Sequence, residues 1–121
     1  MTFTGVVCVA LGGALGSVAR YLLTLAAVAQ WGAGFPWGTL GINVAGSALI
    51  GVIAGLGVGG EWRLFLVTGV LGGFTTFSAF SLETGLLWER SPMLAAGYVA
   101  ASISLSLAAF ALCFALARRW A

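Results

Sequence analysis

Hydrophobic positions fill nearly the whole chain, and polar positions interrupt them at regular intervals. The interruptions leave four long apolar segments, at about 3–29, 37–57, 62–88 and 93–117. Each segment has the roughly 20 residues that an α-helix needs to cross about 30 Å of hydrocarbon. The pattern therefore predicts one all-α integral membrane domain over 1–121, with four transmembrane helices joined by short connections.

Tryptophans mark the ends of these segments. All 5 lie at a predicted boundary: Trp31, Trp37, Trp62, Trp88 and Trp120. Tryptophan is enriched at the membrane–water interface, where its apolar ring and its N–H group are both accommodated. The positions of these side chains support the same four spans.

Composition agrees with a membrane location. The chain is 61% hydrophobic and only 7% charged, whereas soluble domains carry about 25% charged residues. We therefore expect a multi-pass protein of the cell membrane, in contact with the lipid bilayer. The net charge of +2 gives no indication of nucleic-acid binding. Histidine and aspartate are absent, which removes the usual nucleophile triads and most metal sites, and we expect no enzyme activity.

The first apolar segment and the two cysteines have plain interpretations. The segment lacks a basic start and is too long for a cleaved signal peptide, so we interpret it as the first spanning helix. Cys8 and Cys113 lie in apolar stretches. We interpret them as small buried hydrophobic residues rather than as a disulfide or a reactive pair.

The centre of the third segment differs from an ordinary spanning helix. It carries Gly72, Gly73, Thr75 and Thr76 where such a helix usually has leucine. Glycine loosens a helix, and threonine is β-branched. In lipid, non-helical backbone is tolerated only where it is buried in protein or lines a watery path. We therefore predict a third helix broken at mid-membrane depth beside an ion or solute site. The alternative is a simple glycine kink relieved by threonine hydroxyls.

Other polar groups gather in one half of the membrane. At a rise of about 1.5 Å per residue, Arg20, Asn43 and Phe80 lie at a similar depth, 6–8 Å from the midplane. Glu83 and Tyr98 fall on the same side. A permanently charged guanidinium, an amide with two N–H donors and the positive edges of phenyl rings favour an anion. Weak binding at several such sites is what ion conduction requires.

Each of these groups also has a structural interpretation. Asn43 can bridge two helices, the phenylalanines can fill apolar space, and serines can bond to their own backbone. Arg20 and Glu83, the only ionisable groups well inside the spans, can form an ion pair or extend to the interface. The sequence alone leaves these alternatives open.

Arginine placement gives only a weak preference for one orientation in the membrane. Arg63, Arg118 and Arg119 share one predicted side, and Arg20 and Arg90 belong to the other. The positive-inside rule needs a clearer excess than this. A weak bias permits insertion in both orientations, and two opposite copies can then pair about a two-fold axis in the membrane plane.

A single copy of four helices leaves little room for a water path. We therefore predict an antiparallel, dual-topology homodimer. Glycine pairs such as Gly12 and Gly16 supply close-packing faces, although they can equally pack helices within one subunit. The midpoint of the third segment, Thr75, would lie near the dimer axis. Carbonyl groups freed there in two copies would form an oxygen cage suited to a small hard cation.

Three motifs, taken in order, resemble the Fluc/CrcB fluoride channel family. GGALGSVARY (12–21), GTLGINVAGS (38–47) and GGFTTFSAF (72–80) resemble that family's GGxxGxxxRY, GTLxxNxxG and GGxTTFSTF. The resemblance covers nearly the whole chain. It implies a dual-topology antiparallel homodimer with two pores between the subunits. It also implies selective, passive fluoride conduction that expels fluoride after it has entered as neutral HF, and hence fluoride resistance.

The resemblance also implies roles for particular residues. The residues that match fluoride-pore positions are Asn43, Phe77, Phe80, Ser78, Tyr98 and Ser106. Arg20 matches an arginine near the pore entrance. Gly72 and Thr75 match positions whose backbone carbonyls hold a structural sodium ion (Na+) on the dimer two-fold axis. The family often has threonine where this chain has Ala79, so its polar track here depends on the serines.

Other functions remain as alternatives. A small multidrug-resistance-type exporter also has four spans and dual topology, but it trades protons for organic cations through a carboxylate in the first span. The only ionisable residue of the first span here is Arg20. A non-transporting helper subunit would need neither the mid-membrane break nor the clustered polar groups. For a membrane enzyme, no acid–base pair or nucleophile array is visible.

Overall fold

Four helical stretches, each long and apolar enough to cross a membrane, make up this chain. The computed structural model describes residues 1–121. Its elements are α1 Phe3–Trp31, α2 Trp37–Gly55, α3 Gly60–Arg63, a π-helix Leu64–Leu71, α4 Gly72–Phe74, α5 Phe77–Arg90 and α6 Pro92–Trp120. The predicted all-α class with four apolar membrane helices is confirmed. The elements from Gly60 to Arg90 together form the third span.

Local sequence explains where the long helices begin and end. The Thr2 hydroxyl accepts a hydrogen bond from the Gly5 N–H at 2.9 Å and starts α1. At the other end of α1, Gly32 adopts φ 77°, a left-handed conformation that favours glycine. Ser91 caps α6 in the same way as Thr2 caps α1, with Pro92 in the first helical turn. These caps set the short connections that bring successive helices back across the membrane.

The third span changes its backbone conformation along its length. Residues Leu64–Leu71 form a π-helix, a wider turn that is rare and often found at functional sites. Thr75 (φ −97°, ψ 143°) and Thr76 (φ −148°, ψ 129°) are extended and separate α4 from α5. The Thr75 N–H and hydroxyl both donate to the Leu71 carbonyl, at 2.9 and 2.8 Å. We refer to Thr75 and Thr76 as the extended pair.

Glycines let the helices pack in two close pairs. A Cβ at Gly12 or Gly16 of α1 would run into backbone atoms of the third span. A Cβ at Gly51 of α2 would lie 2.6 Å from the Phe110 carbonyl of α6, and one at Gly55 would lie 2.8 Å from the Phe114 carbonyl. Each pair of glycines is four residues apart, so one helix face touches backbone. These glycines therefore pack helices within one chain.

Buried side chains are few, and their one core cluster lies at one end of the molecule. Only 17 of 121 residues are buried, so most apolar side chains face outwards, as suits a surface solvated by lipid. The core cluster consists of Leu40, Leu87, Ala95 and Tyr98. At the same end, the side chain of Arg90, the last residue of α5, donates a hydrogen bond to the Gly34 carbonyl. This bond joins the end of α5 to the connection between α1 and α2. Cys8 and Cys113 are free and half-buried.

Candidate functional site

An open groove of about 530 Å³ lies between α2, the third span and α6. It collects residues that are far apart in sequence onto one surface. The predicted site residues that line it are Asn43, Gly72, Thr75, Phe77, Phe80 and Ser106. The structure therefore brings the second and third motifs together with two serines of the fourth span.

The extended pair forms part of the wall of this groove. Thr76 donates no backbone hydrogen bond, so the helical bond from its N–H to the Gly72 carbonyl is missing. The Thr75 carbonyl likewise accepts no backbone hydrogen bond. Two carbonyl oxygens are thus released from helical pairing at the groove. Neutral oxygen ligands of this kind fit a small hard cation, and no cluster of acidic, histidine or cysteine side chains offers another metal site.

Two serines of α6 face the groove with unpaired hydroxyls. The side-chain oxygens of Ser102 and Ser106 are buried and have no hydrogen-bond partner, and both residues line the groove. A buried hydroxyl without a partner costs about 1–3 kcal/mol. The suggestion that such serines bond only to their own backbone is wrong for this pair. Neither hydroxyl has a hydrogen-bond partner within the chain.

Asn43 supplies a further free donor group from α2. It lines the groove and is half-buried. It takes part in none of the side-chain hydrogen bonds within the chain. The amide therefore does not bridge two helices in this structure. Its two N–H donors can point towards a bound group.

Aromatic rings run from the open side of the groove into the core. Phe77 is 78% exposed. Its ring centroid lies 5.4 Å from that of Phe80, which in turn lies 5.2 Å from that of Tyr98. Phenyl rings carry positive charge at their edges and negative charge on their faces. Both phenylalanines line the same groove as Asn43, Ser102 and Ser106.

Tyr98 itself lies behind the groove rather than on its surface. It is fully buried, and its hydroxyl donates to Glu83 Oε2 at 3.2 Å. Thr39 Oγ1 donates to Glu83 Oε1 at 2.8 Å. Both carboxylate oxygens of Glu83 are thus hydrogen-bonded inside the chain. The ion pair between Arg20 and Glu83 considered from the sequence is not formed.

The remaining predicted residues lie beside the groove. Ser78 is exposed, and its hydroxyl lies 2.8 Å from that of Thr76. Arg20 is half-buried, and its Nε donates to the Gly73 carbonyl at 3.1 Å. Neither residue lines the groove.

Three residues of this region were not among the predicted site residues: Thr39, Glu83 and Ser102. Thr39 stands four residues before Asn43 in the second motif, and Ser102 four before Ser106, so helical spacing was the available signal. Glu83 was visible as an isolated charge in an apolar segment. Its hydrogen bonds from Thr39 and Tyr98 depend on the rotation of α2, α5 and α6 about their own axes. Residue spacing within one helix does not predict that rotation.

Comparison with known proteins identifies the family. Residues 7–114 match the family model described as CrcB-like protein, Camphor Resistance (CrcB). A relative named fluoride-specific ion channel FluC, from Rhizobium etli (strain CIAT 652), is 54% identical and covers 84% of this chain and 86% of the relative. Proteins of the same name from Nitrobacter winogradskyi and Agrobacterium fabrum are 52% and 51% identical, covering 90% and 91% of this chain, and 91% and 93% of their own lengths. With the family model spanning most of its residues and about half of its positions identical to these relatives, the chain belongs to the CrcB family.

Proposed function

We propose that this protein is a fluoride-selective ion channel that lowers cytoplasmic fluoride by passive export. The observation that carries the proposal is the groove, where the Asn43 amide and two buried serine hydroxyls have donors without partners. Relatives that are about half identical are named fluoride-specific ion channels. A compact anion that accepts several hydrogen bonds would satisfy these donors.

Conduction needs binding that is favourable enough for entry and weak enough for release. The groove supports this balance because its attractive groups are neutral. Ser102 and Ser106 would donate hydrogen bonds from successive turns of α6, and Asn43 would donate from α2. Phe77 and Phe80 would offer ring edges from the third span. Tyr98, packed behind Phe80, would hold that ring in place. Ser78, paired with Thr76, would continue the polar track beside the extended pair.

The channel is proposed to work as an antiparallel, dual-topology homodimer. In one chain the groove is open on one side, and Phe77 is largely exposed. An ion path bordered by hydrocarbon is costly, because lipid offers no hydrogen bonds. A second copy inserted in the opposite orientation would cover the groove and give two equivalent paths. The extended pair would then mark a break of the third helix at mid-membrane depth, close to the two-fold axis.

At that axis we propose a structural sodium ion held by backbone carbonyls. The Gly72 and Thr75 carbonyls of each copy are the candidates, because the helical bonds that would occupy them are missing. A cation there would offset the negative ends of carbonyl dipoles brought together by the dimer. It would stabilise the paired copies rather than travel along the fluoride path.

The alternative of a proton-coupled exporter of organic cations fits less well. Such coupling needs a carboxylate that exchanges a proton for the substrate. The only acidic side chain well inside the spans is Glu83, and Thr39 and Tyr98 occupy both of its oxygens. The donors that face the groove also suit an anion rather than a cation.

Flux from liposomes tests the proposed function. Purified protein would be reconstituted in liposomes with internal potassium fluoride. Valinomycin would then be added to carry K+ out of the vesicles and balance the charge, and fluoride release would be followed with a fluoride electrode. We expect fluoride efflux that depends on valinomycin, and little efflux from matched vesicles loaded with chloride. Absence of fluoride efflux, or uptake of an organic cation driven by a pH gradient, would overturn the proposal.

A further inference from the structure

One face of α1 carries three successive positions of the first motif: Gly12, Gly16 and Arg20. They are spaced by four residues, so they lie above one another on the helix. A Cβ at Gly12 would meet the Phe65 carbonyl, and one at Gly16 would meet the Val70 carbonyl. At these two levels the backbone of α1 therefore rests directly on the backbone of the third span.

Arg20 follows one turn later, where the third span stops being helical. Its Nε donates to the Gly73 carbonyl at 3.1 Å, across 53 residues of sequence. Gly73 is packed against α1 as well, since a Cβ there would lie 2.6 Å from the Gly13 carbonyl and 3.0 Å from Ser17 Oγ. The last turn before the extended pair is thus held against α1 by backbone contact and by one charged side chain.

The Gly73 carbonyl is one of the groups that a helix end leaves without an intrahelical donor. Within a membrane no water is available to replace that donor. A cation is also favoured at the C-terminal end of a helix, where the carbonyl ends of the peptide dipoles point outwards. Arg20 meets both requirements, with a donor directed at the carbonyl and a permanent charge.

We propose that Arg20 is a positioning residue that caps the helix before the extended pair, rather than a charge that draws anions towards the pore. By holding the Gly73 carbonyl, it fixes the backbone on one side of Thr75 and Thr76. The same contact fixes the positions of three residues that line the groove, Gly72, Thr75 and Phe77. The consequence for flux rests on the proposed channel function, whereas the cap itself does not.

Three substitutions separate the donor from the charge. Arg20→Gln keeps an N–H donor the same number of bonds from Cα as the arginine Nε, and it removes the charge. Arg20→Lys keeps the charge but places its donors one bond further out. Arg20→Met removes both. Arg119→Met, at the exposed end of α6, removes a guanidinium from outside the site and is the matched control.

The first measurement is the carbonyl ¹³C resonance of Gly73 in labelled protein reconstituted in lipid. We expect wild type and Arg20→Gln to give nearly the same chemical shift, and Arg20→Met to move away from both. An identical Gly73 resonance in all variants would overturn the cap. This measurement does not require the protein to conduct any ion, so it stands even where the proposed function fails.

The second measurement is fluoride efflux from liposomes, with gel filtration of each variant to confirm assembly. Arg20→Met leaves the Gly73 carbonyl without its hydrogen-bond donor. Because of this loss, we expect at least about a tenfold slower flux for this variant. Arg20→Gln should stay within about threefold of wild type, and Arg119→Met should match wild type. Wild-type flux in Arg20→Lys, with equal losses in the glutamine and methionine variants, would assign the role to charge and overturn the proposal.

Discussion

The two sides of the third span differ in how they meet their neighbours. Towards α1 the contact is closed, because Gly12 and Gly16 bring backbone against backbone and Arg20 bonds to the Gly73 carbonyl. Towards α2 and α6 the same span faces an open groove of about 530 Å³. Unpaired donors occur on the open side, at Ser102 and Ser106. The closed side fixes the backbone of the third span, and the open side carries the unpaired hydrogen-bond donors.

This division explains how extended residues persist inside an apolar protein. The extended pair gives up helical hydrogen bonds, which is costly in lipid. Close packing of the third span against α1 restricts the other conformations that the backbone around Thr75 and Thr76 would otherwise adopt. We therefore expect substitutions of the closed-side glycines to change folding, and substitutions on the open side to change transport.

The largest effect should come from filling the closed contact. Gly16→Leu places a side chain where a Cβ alone already overlaps the Val70 carbonyl. Because the obstacle is backbone, the helices must separate, and we expect loss of most folded protein. The measurement is the yield of monodisperse protein by gel filtration in detergent.

Gly13→Ala is the control for that substitution, since a Cβ at Gly13 meets nothing within 4 Å. It should retain the wild-type yield, and replacing glycine in a helix can stabilise it by up to about 1 kcal/mol. Equal yields of the Gly16→Leu and Gly13→Ala proteins would show that the contact with α1 is not needed for folding.

On the open side, Asn43→Asp should reduce fluoride flux most. The carboxylate removes both N–H donors and adds a negative charge beside an anion path. Loss of a hydrogen bond to a charged group corresponds to at least about a tenfold decrease. Fluoride efflux from liposomes measures it, and the gel-filtration profile should remain that of wild type. Unchanged efflux would remove Asn43 from the path.

Phe80→Ile should have a smaller effect on flux. Isoleucine retains apolar volume but loses the ring edge, while the contact of Phe80 with Tyr98 becomes an ordinary apolar one. An aromatic pair contributes about 0.5–1.5 kcal/mol beyond its buried area, so we expect a several-fold slower efflux with assembly intact. Efflux at the wild-type rate would assign Phe80 to packing alone.

The smallest effect on flux, and the clearest in sign, concerns the serines of α6. Neither hydroxyl of Ser102 or Ser106 has a partner in the chain, so the Ser102→Ala, Ser106→Ala double variant should be as stable as wild type or slightly more so. Flux should nevertheless fall several-fold, because two donors disappear. Ser104→Ala, at an exposed position on the same helix, is the control. A double variant that conducts like wild type would exclude these hydroxyls from transport.

The sequence was most informative about properties that follow from position along a single helix, such as hydropathy and depth in the membrane. Four apolar segments predicted four helices to within a few residues, although α2 ends at Gly55, before the predicted 57. The rise per residue predicted a similar depth for Arg20, Asn43 and Phe80. Of these three, Asn43 and Phe80 line the groove and Arg20 does not.

The partners of the two half-buried charges, Arg20 and Glu83, could not be predicted in this way. Arg20 and Glu83 are each inside a span, and opposite charge made a mutual pair plausible. Whether two side chains meet depends on the rotation of their helices about their own axes. The backbone contacts at Gly12 and Gly16 turn Arg20 towards Gly73. The π-helix before Gly72 was also unpredicted, since hydropathy does not distinguish it from an α-helix.

The interrupted third span has a consequence for how the chain is inserted during synthesis. The part after the extended pair, α5, has 14 residues, fewer than the roughly 20 needed to cross the hydrocarbon. The part before it, from Gly60 to Phe74, is similarly short. Neither part is long enough to cross the bilayer by itself, so we expect the two to insert together. Because α1 precedes them in the chain, we expect its glycine face to be in the membrane before they pack against it.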